Sequence, residues 1–247
     1  MKFGIQLYTV REHTDDTQFK ETISRLADMG FQGIEFAWRF GGMEPDALAD
    51  FLKSARLECC GLHTSLDALL DPADKNYAYA LACGARFITT SLASSTAEFK
   101  ELAPKLEKAG SVARGKGLRL TYHNHHQEFT SLVDGVRAQD YLIRHTAPGL
   151  VELELDIGWI KKGGEDSMAY WREHGNRAPQ IHLRDYDPKT DKVTDIGKGF
   201  IDLSAVMAQA RDFNTAWLIY EQDCYPVCAF DSCQACAELA GRCGLIQ

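Results

Sequence analysis

Residues Val151 to Trp159 read VELELDIGW, an apolar strand pattern that carries three acids and stops at Asp156 before a Gly158-Trp159 exit. Period-two alternation places Glu152, Glu154 and Asp156 on one face. Three more segments end in the same manner: Leu118 to Glu128 (LRLTYHNHHQE), Gln180 to Asp185 (QIHLRD) and Trp217 to Asp223 (WLIYEQD). Asp, Glu and His side chains from different strands meet at one point when the strands run parallel around a barrel and present their C-terminal ends to a common mouth.

Outward from these segments, strand-like runs alternate with helical patterns along the chain. Strands are expected at Phe3–Leu7, Gly33–Phe36, Glu58–Leu62, Phe87–Thr90, Leu118–Tyr122, Val151–Leu155, Gln180–Leu183 and Ala216–Tyr220. Helical periodicity covers Asp16–Met29, Pro45–Ser54, Ala73–Cys83, Ala97–Lys116, Gly135–His145, Ser167–His174, Leu203–Ala210 and Ser232–Ala240. The strands finish on Gln6, Glu35, His63, Ser91, His123, Asp156, His182 and Glu221, all polar. A doubly wound open sheet shares the alternation, but polar endings on every strand call for one shared pocket. The expectation is an α/β protein forming a single (β/α)8 TIM barrel over residues 1–247, with its site at the C-terminal ends of the strands.

The formal net charge of −8 over 247 residues weighs against a nucleic-acid partner. No run approaches the roughly 20 apolar residues of a membrane span, and Met1 leads into an apolar segment without a basic region, so a cytoplasmic protein is expected. Of eight cysteines, Cys233 and Cys236 have C-x-x-C spacing, but no second pair accompanies them, which favours packing in a helix.

Asp156 offers a hard anionic oxygen. His182 and Arg184 share a face, so the imidazole is placed to bind a metal while the guanidinium holds a substrate oxygen. Glu221 closes an apolar strand where an unpaired carboxylate is costly to bury; metal coordination, or a salt bridge to Arg184 or Lys198, relieves that. His123 and His125 share a face, one as a ligand and the other as a general acid/base, and Glu128 lies where the chain could fold back to offer an anionic ligand. His126 is expected in solvent. Gln6, Tyr8, Glu35, Trp38, His63 and Trp159 are candidates for the pocket wall, and Arg11 either holds an anion or anchors its loop. Gly197 and Gly199 allow a tight loop after the seventh strand, a place where barrels bind anionic or hydroxyl-rich ligands; a plain turn before a helix capped by Asp202 fits equally. The Trp38-Arg39-Phe40 stretch and Trp171 are read as lids or as subunit contacts of a homo-oligomer.

The segments Ile5 to Arg11, Gly33 to Glu35, Tyr122 to Phe129, Leu155 to Trp159, His182 to Asp185, Gly197 to Asp202 and Glu221 to Asp223 together resemble the xylose-isomerase-like TIM-barrel superfamily of sugar phosphate isomerases and epimerases. The resemblance implies one divalent ion (Mn²⁺, Mg²⁺, Co²⁺ or Zn²⁺) bound by a strand-five residue with Asp156, His182 and Glu221. It implies an isomerase or epimerase that abstracts a proton next to the carbonyl of a small carbohydrate through a metal-stabilised enediolate. Many family epimerases carry Glu on strand five. Here that slot reads His123, so either Glu128 or His123 completes the set, with Glu128 slightly favoured. Branches with a histidine-rich fifth strand resemble inosose dehydratases, which makes a keto-sugar lyase the alternative. A non-catalytic sugar-binding barrel and an endonuclease IV-like phosphodiesterase are the other classes, the latter disfavoured by the acidic charge.

Overall fold

Alternation along each strand decides what the barrel contains. Phe3 and Ile5 of the first strand pack outward in the main apolar cluster, while Gln6, on the opposite face, enters the interior and bonds to Glu35. In the computed structural model, which describes residues 1–92 and 99–246, eight parallel strands close into a barrel: β1 (Lys2–Gln6), β2 (Gly33–Ala37), β3 (Glu58–His63), β4 (Phe87–Ser91), β5 (Arg119–His123), β6 (Val151–Asp156), β7 (Gln180–Leu183) and β8 (Trp217–Tyr220). Each neighbours the next in sequence, and β8 closes on β1 through pairs such as Phe3 with Leu218. The expected (β/α)8 barrel is therefore the fold.

The principal helices are α1 (Phe19–Asp28), α2 (Pro45–Ser54), α3 (Lys75–Ala82), α4 (Phe99–Gly115), α5 (Ala138–Arg144), α6 (Ser167–His174), α7 (Leu203–Asp212) and α8 (Ala229–Arg242). They follow the expected segments, except that residues 97 and 98 of the predicted Ala97–Lys116 helix lie outside the described residues. Local chemistry fixes several starts: Pro45 opens α2, and the carboxylates of Asp74, Asp166 and Asp202 cap α3, α6 and α7. Cys233 and Cys236 are buried free thiols in α8, in keeping with packing. None of the described helices is long and apolar enough to cross a membrane.

Apolar side chains form two separate clusters. The larger joins the strands to the helices, whereas Cys60, Phe87, Trp217 and Ile219 pack as a plug in the lower barrel. Gly33 makes room for that plug, since a Cβ there would sit 2.6 Å from both the Cys60 sulfur and the Trp217 ring. Above it the interior becomes polar. Thr89 and Thr121 share a hydroxyl hydrogen bond of 2.7 Å, and the Gln180 amide donates to Glu35 Oε1 at 3.4 Å. This polar column leads to the mouth.

Candidate functional site

The strand register lines up the upper residues: Gln6 beside Glu35, His63 beside Thr89, His123 beside Glu154, and Asp156 beside His182. Among the described residues, ligand atoms of His123, Asp156, His182 and Glu221 all lie within 4.8 Å of one another. A second group shares both histidines and adds His63 and Glu154. The two rings explain the overlap. His182 turns Nδ1 to Glu221 at 2.9 Å and Nε2 to Glu35 at 2.7 Å and Glu154 at 3.2 Å. His123 turns Nδ1 to Glu154 at 3.2 Å and Nε2 toward Glu221 at 3.9 Å.

Two imidazoles and two carboxylates would suit a divalent ion such as Zn²⁺ or Mn²⁺, which takes a histidine in its neutral form; the carboxylates around His182 raise its value, so an ion arriving there would displace a proton. The fit extends beneath them, because a metal-binding histidine typically donates its other ring N–H to a carboxylate, and Glu35 and Glu154 stand there. His123, Asp156, His182 and Glu221 would hold the ion.

Glu128 does not join them. Its Oε1 accepts from the Tyr122 hydroxyl at 2.6 Å and its Oε2 from the His125 backbone N–H at 3.0 Å, so both oxygens tie the short Gln127–Thr130 helix back to β5. The fourth position in the cluster falls to His123, which is thereby a ligand candidate rather than the catalytic base. Glu35 also departs from expectation: it is fully buried beneath His63 and His182 and does not form the pocket wall. Arg184 does line the pocket, but its nitrogens are all engaged, Nε with Asp156 (3.1 Å), Nη1 with Asp223 (2.8 Å) and Nη2 with Glu221 (2.9 Å).

The pocket encloses about 440 Å³, lined by Gln6, Tyr8, Trp38, His63, His125 and Trp159 among others. That lies within the roughly 300–1,000 Å³ of small-molecule sites. His126 lines it as well instead of standing in solvent, packed on Trp159 with ring centroids 5.4 Å apart. Arg11 anchors its loop through the Asp223 carbonyl (2.9 Å) and Tyr225 hydroxyl (3.2 Å). Trp171 is buried and Phe40 stacks on Tyr79 at 3.8 Å, which removes both as lid or contact residues; Trp38 is 58% exposed at the rim.

Residues 23–235 match the xylose isomerase-like TIM barrel family. The chain belongs to that family. Over 99 residues this family member is 33% identical to inosose dehydratase from Clostridium perfringens, a stretch of 40% of the chain and only 32% of that relative's length. A sugar phosphate isomerase/epimerase from Parabacteroides distasonis has the same fold, with a TM-score of 0.80 at 16% identity over 100% of this chain and 96% of that one. The IolI protein, solved with a bound zinc atom, superposes with a TM-score of 0.74 at 13% identity over 98% of both chains.

Electrostatics divides the family member's site into fixed charges and neutral imidazoles, with burial pushing both His123 and His125 down. Burial raises Glu221, but Arg184 and His182 outweigh it and bring the carboxyl down to about 2. Burial likewise opposes the charge on His63, yet Glu35 and Glu154 lift it to about 10. Burial and the Glu35 charge push Glu154 up to about 7. His125 goes the other way: burial lowers it to about 4, and its Nδ1 has no hydrogen-bond partner. Glu154 was not singled out in the sequence as a site residue, although its position two before Asp156 on the same strand face carried the signal.

Proposed function

We propose that this protein removes a proton from the carbon next to the carbonyl of a small keto-sugar or cyclitol, and that the outcome is isomerisation or epimerisation. The observation that carries the reading is the neutral imidazole of His125, its Nδ1 without a partner, facing the pocket that His123 and Glu221 of the cluster also line, with its ring 5.1 Å from that of His123. A divalent ion held by the cluster would supply Lewis acidity to a carbonyl oxygen. His125 accepts the α-proton, being neutral at pH 7. Tyr8, Trp38 and Trp159 offer ring faces to the carbon skeleton, while Gln6 spends its amide on Glu35 and the Tyr8 backbone N–H. The zinc of the IolI structure supports the metal assignment by analogy of fold.

Dehydration is the second reading, favoured by a histidine where a strand-five carboxylate would serve two-sided proton transfer, and by the inosose dehydratase match. Both share the first step. Incubation with Mn²⁺ and a panel of ketoses and inososes in D₂O tests it: deuterium at the α-carbon is expected, lost with chelator and reduced by about 100-fold or more in His125→Ala. Product analysis then separates a rearranged isomer from an unsaturated or dehydrated product. Unchanged exchange in His125→Ala would reject its assigned role, and no exchange with any compound would reject the reaction.

A further inference from the structure

We infer that the pocket selects an uncharged polyhydroxy ketone and rejects the phosphate ester of the same compound. This deepens the reading above and rests on it for the reaction, but its charge argument uses separate observations.

Recognition of a phosphate needs cations or a concave set of free backbone N–H groups. Arg184 is the one Lys or Arg lining the pocket among the described residues, and its three bonded nitrogens face Asp156, Glu221 and Asp223. Two of these contacts are hydrogen bonds and the third is an ion pair, so three carboxylates already offset the single positive charge that an incoming anion would need. The other cations have partners of their own: His63 of the lining turns Nε2 to Glu154 (2.7 Å) and Glu35 (3.3 Å), Arg11 bonds to the Asp223 carbonyl and Tyr225, Arg39 to the Arg11 carbonyl, and Lys198 to Asp195. Lys162 lies over the rings of Trp159 and Tyr186 and is not part of the lining. Residues 93–98 (ASSTAE) contain no Lys or Arg.

The second observation concerns the loop after β7, where TIM barrels frequently take a phosphate. Its backbone does form an anion nest, but the anion is internal. Gly197 N (2.8 Å) and Gly199 N (3.0 Å) donate to Asp185 Oδ2, while Phe200 N (2.8 Å) and Ile201 N (3.2 Å) donate to Oδ1. Tyr186 N adds a fifth bond at 2.9 Å. Asp185 is fully buried, and a Cβ on Gly199 would collide with its carboxylate, so the loop is closed tightly on a tethered occupant. A phosphate would have to expel it. The expected anionic ligand of Gly197 and Gly199 is thus the protein's own side chain.

The test compares matched pairs, D-fructose with D-fructose 6-phosphate and D-ribulose with D-ribulose 5-phosphate, on the Mn²⁺-loaded protein in D₂O, alongside calorimetric titration of each. Exchange of the free ketose at least about tenfold faster in kcat/KM than of its ester supports the inference; equal or faster exchange of an ester overturns it. If no compound exchanges, the proposed reaction falls and the titrations decide: an ester bound more tightly than its free sugar overturns the inference, and weaker or undetectable ester binding supports it. Asp185→Ala gives an independent arm. Inorganic phosphate should raise the Tm of the variant and leave wild type unmoved, whereas a shift in wild type equal to the variant's shows an open nest and counts against the inference.

Discussion

Glu154 is the residue on which the two halves of the site meet. It faces Nδ1 of His123, Nε2 of His63 and Nε2 of His182, at 3.2, 2.7 and 3.2 Å. Replacing a carboxylate behind metal-binding histidines costs about 10–100-fold in metal affinity. Glu154→Gln is expected to weaken Mn²⁺ binding by that factor in equilibrium dialysis, while Asp156→Ala and Glu221→Ala lose it more completely; wild-type affinity in Glu154→Gln would show that His123 and His182 hold their orientation without it. The strand-end residues were legible in the sequence because each follows an apolar run, as Glu221 follows WLIY. Glu154 was harder, since a charge inside a strand has the same pattern whether it faces a metal-site histidine or solvent. Glu128 misled for a related reason: proximity in sequence to His123 says nothing of the Tyr122 hydroxyl that captures it.

At the scale of elements, the helix and strand boundaries were legible from period and caps, as Pro45–Ser54 and Ser167–His174 show. The short Ile157–Lys162 and Gln127–Thr130 helices were not, because fewer than two turns have too few residues to display a helical repeat. Glu128 gives the second of these a pH signature. Burial, outweighing its two hydrogen-bond donors, raises its carboxyl from 4.5 to about 7. A raised folded value means that the native state holds the proton more tightly, so this contribution is full below pH 4.5 and fades as pH rises through about 7. Urea titrations should show Glu128→Gln with a flatter stability profile between about pH 5 and 7, the difference amounting to about 1–3 kcal/mol; parallel profiles would refute it. Gly33→Ala tests the barrel floor. Overpacking against Cys60 and Trp217 should cost about 1–3 kcal/mol by the same measurement, and a neutral effect would mean that the plug yields.

For the whole molecule, closure of the sheet is what turns eight local patterns into one site. β6 and β7 supply Asp156 and His182 in register, but Glu35 reaches His182 across a separation of 147 residues. No local window of sequence contains that contact. The eight-fold recurrence of polar strand ends made the barrel legible, and the Arg184–Glu221 ion pair was among the alternatives the sequence offered, whereas the capture of Asp185 by the 197–201 backbone depends on a loop whose path only the folded chain defines. A divalent ion that binds the native cluster and not the unfolded chain stabilises by linkage, about 2.7 kcal/mol at 100 times its Kd. Thermal unfolding should therefore move upward with Mn²⁺ or Zn²⁺ in wild type and stay put in Asp156→Ala, and an equal shift in both would place the ion elsewhere.

The plug of Phe87, Trp217, Cys60 and Ile219 also sets the traffic of the site. With the floor packed shut among the described residues, reactants and products share the mouth at which Trp38 stands. Products retained at the mouth then obstruct the next arrival, and His63, whose Nε2 faces both Glu35 and Glu154, stands between the pocket and these buried carboxylates.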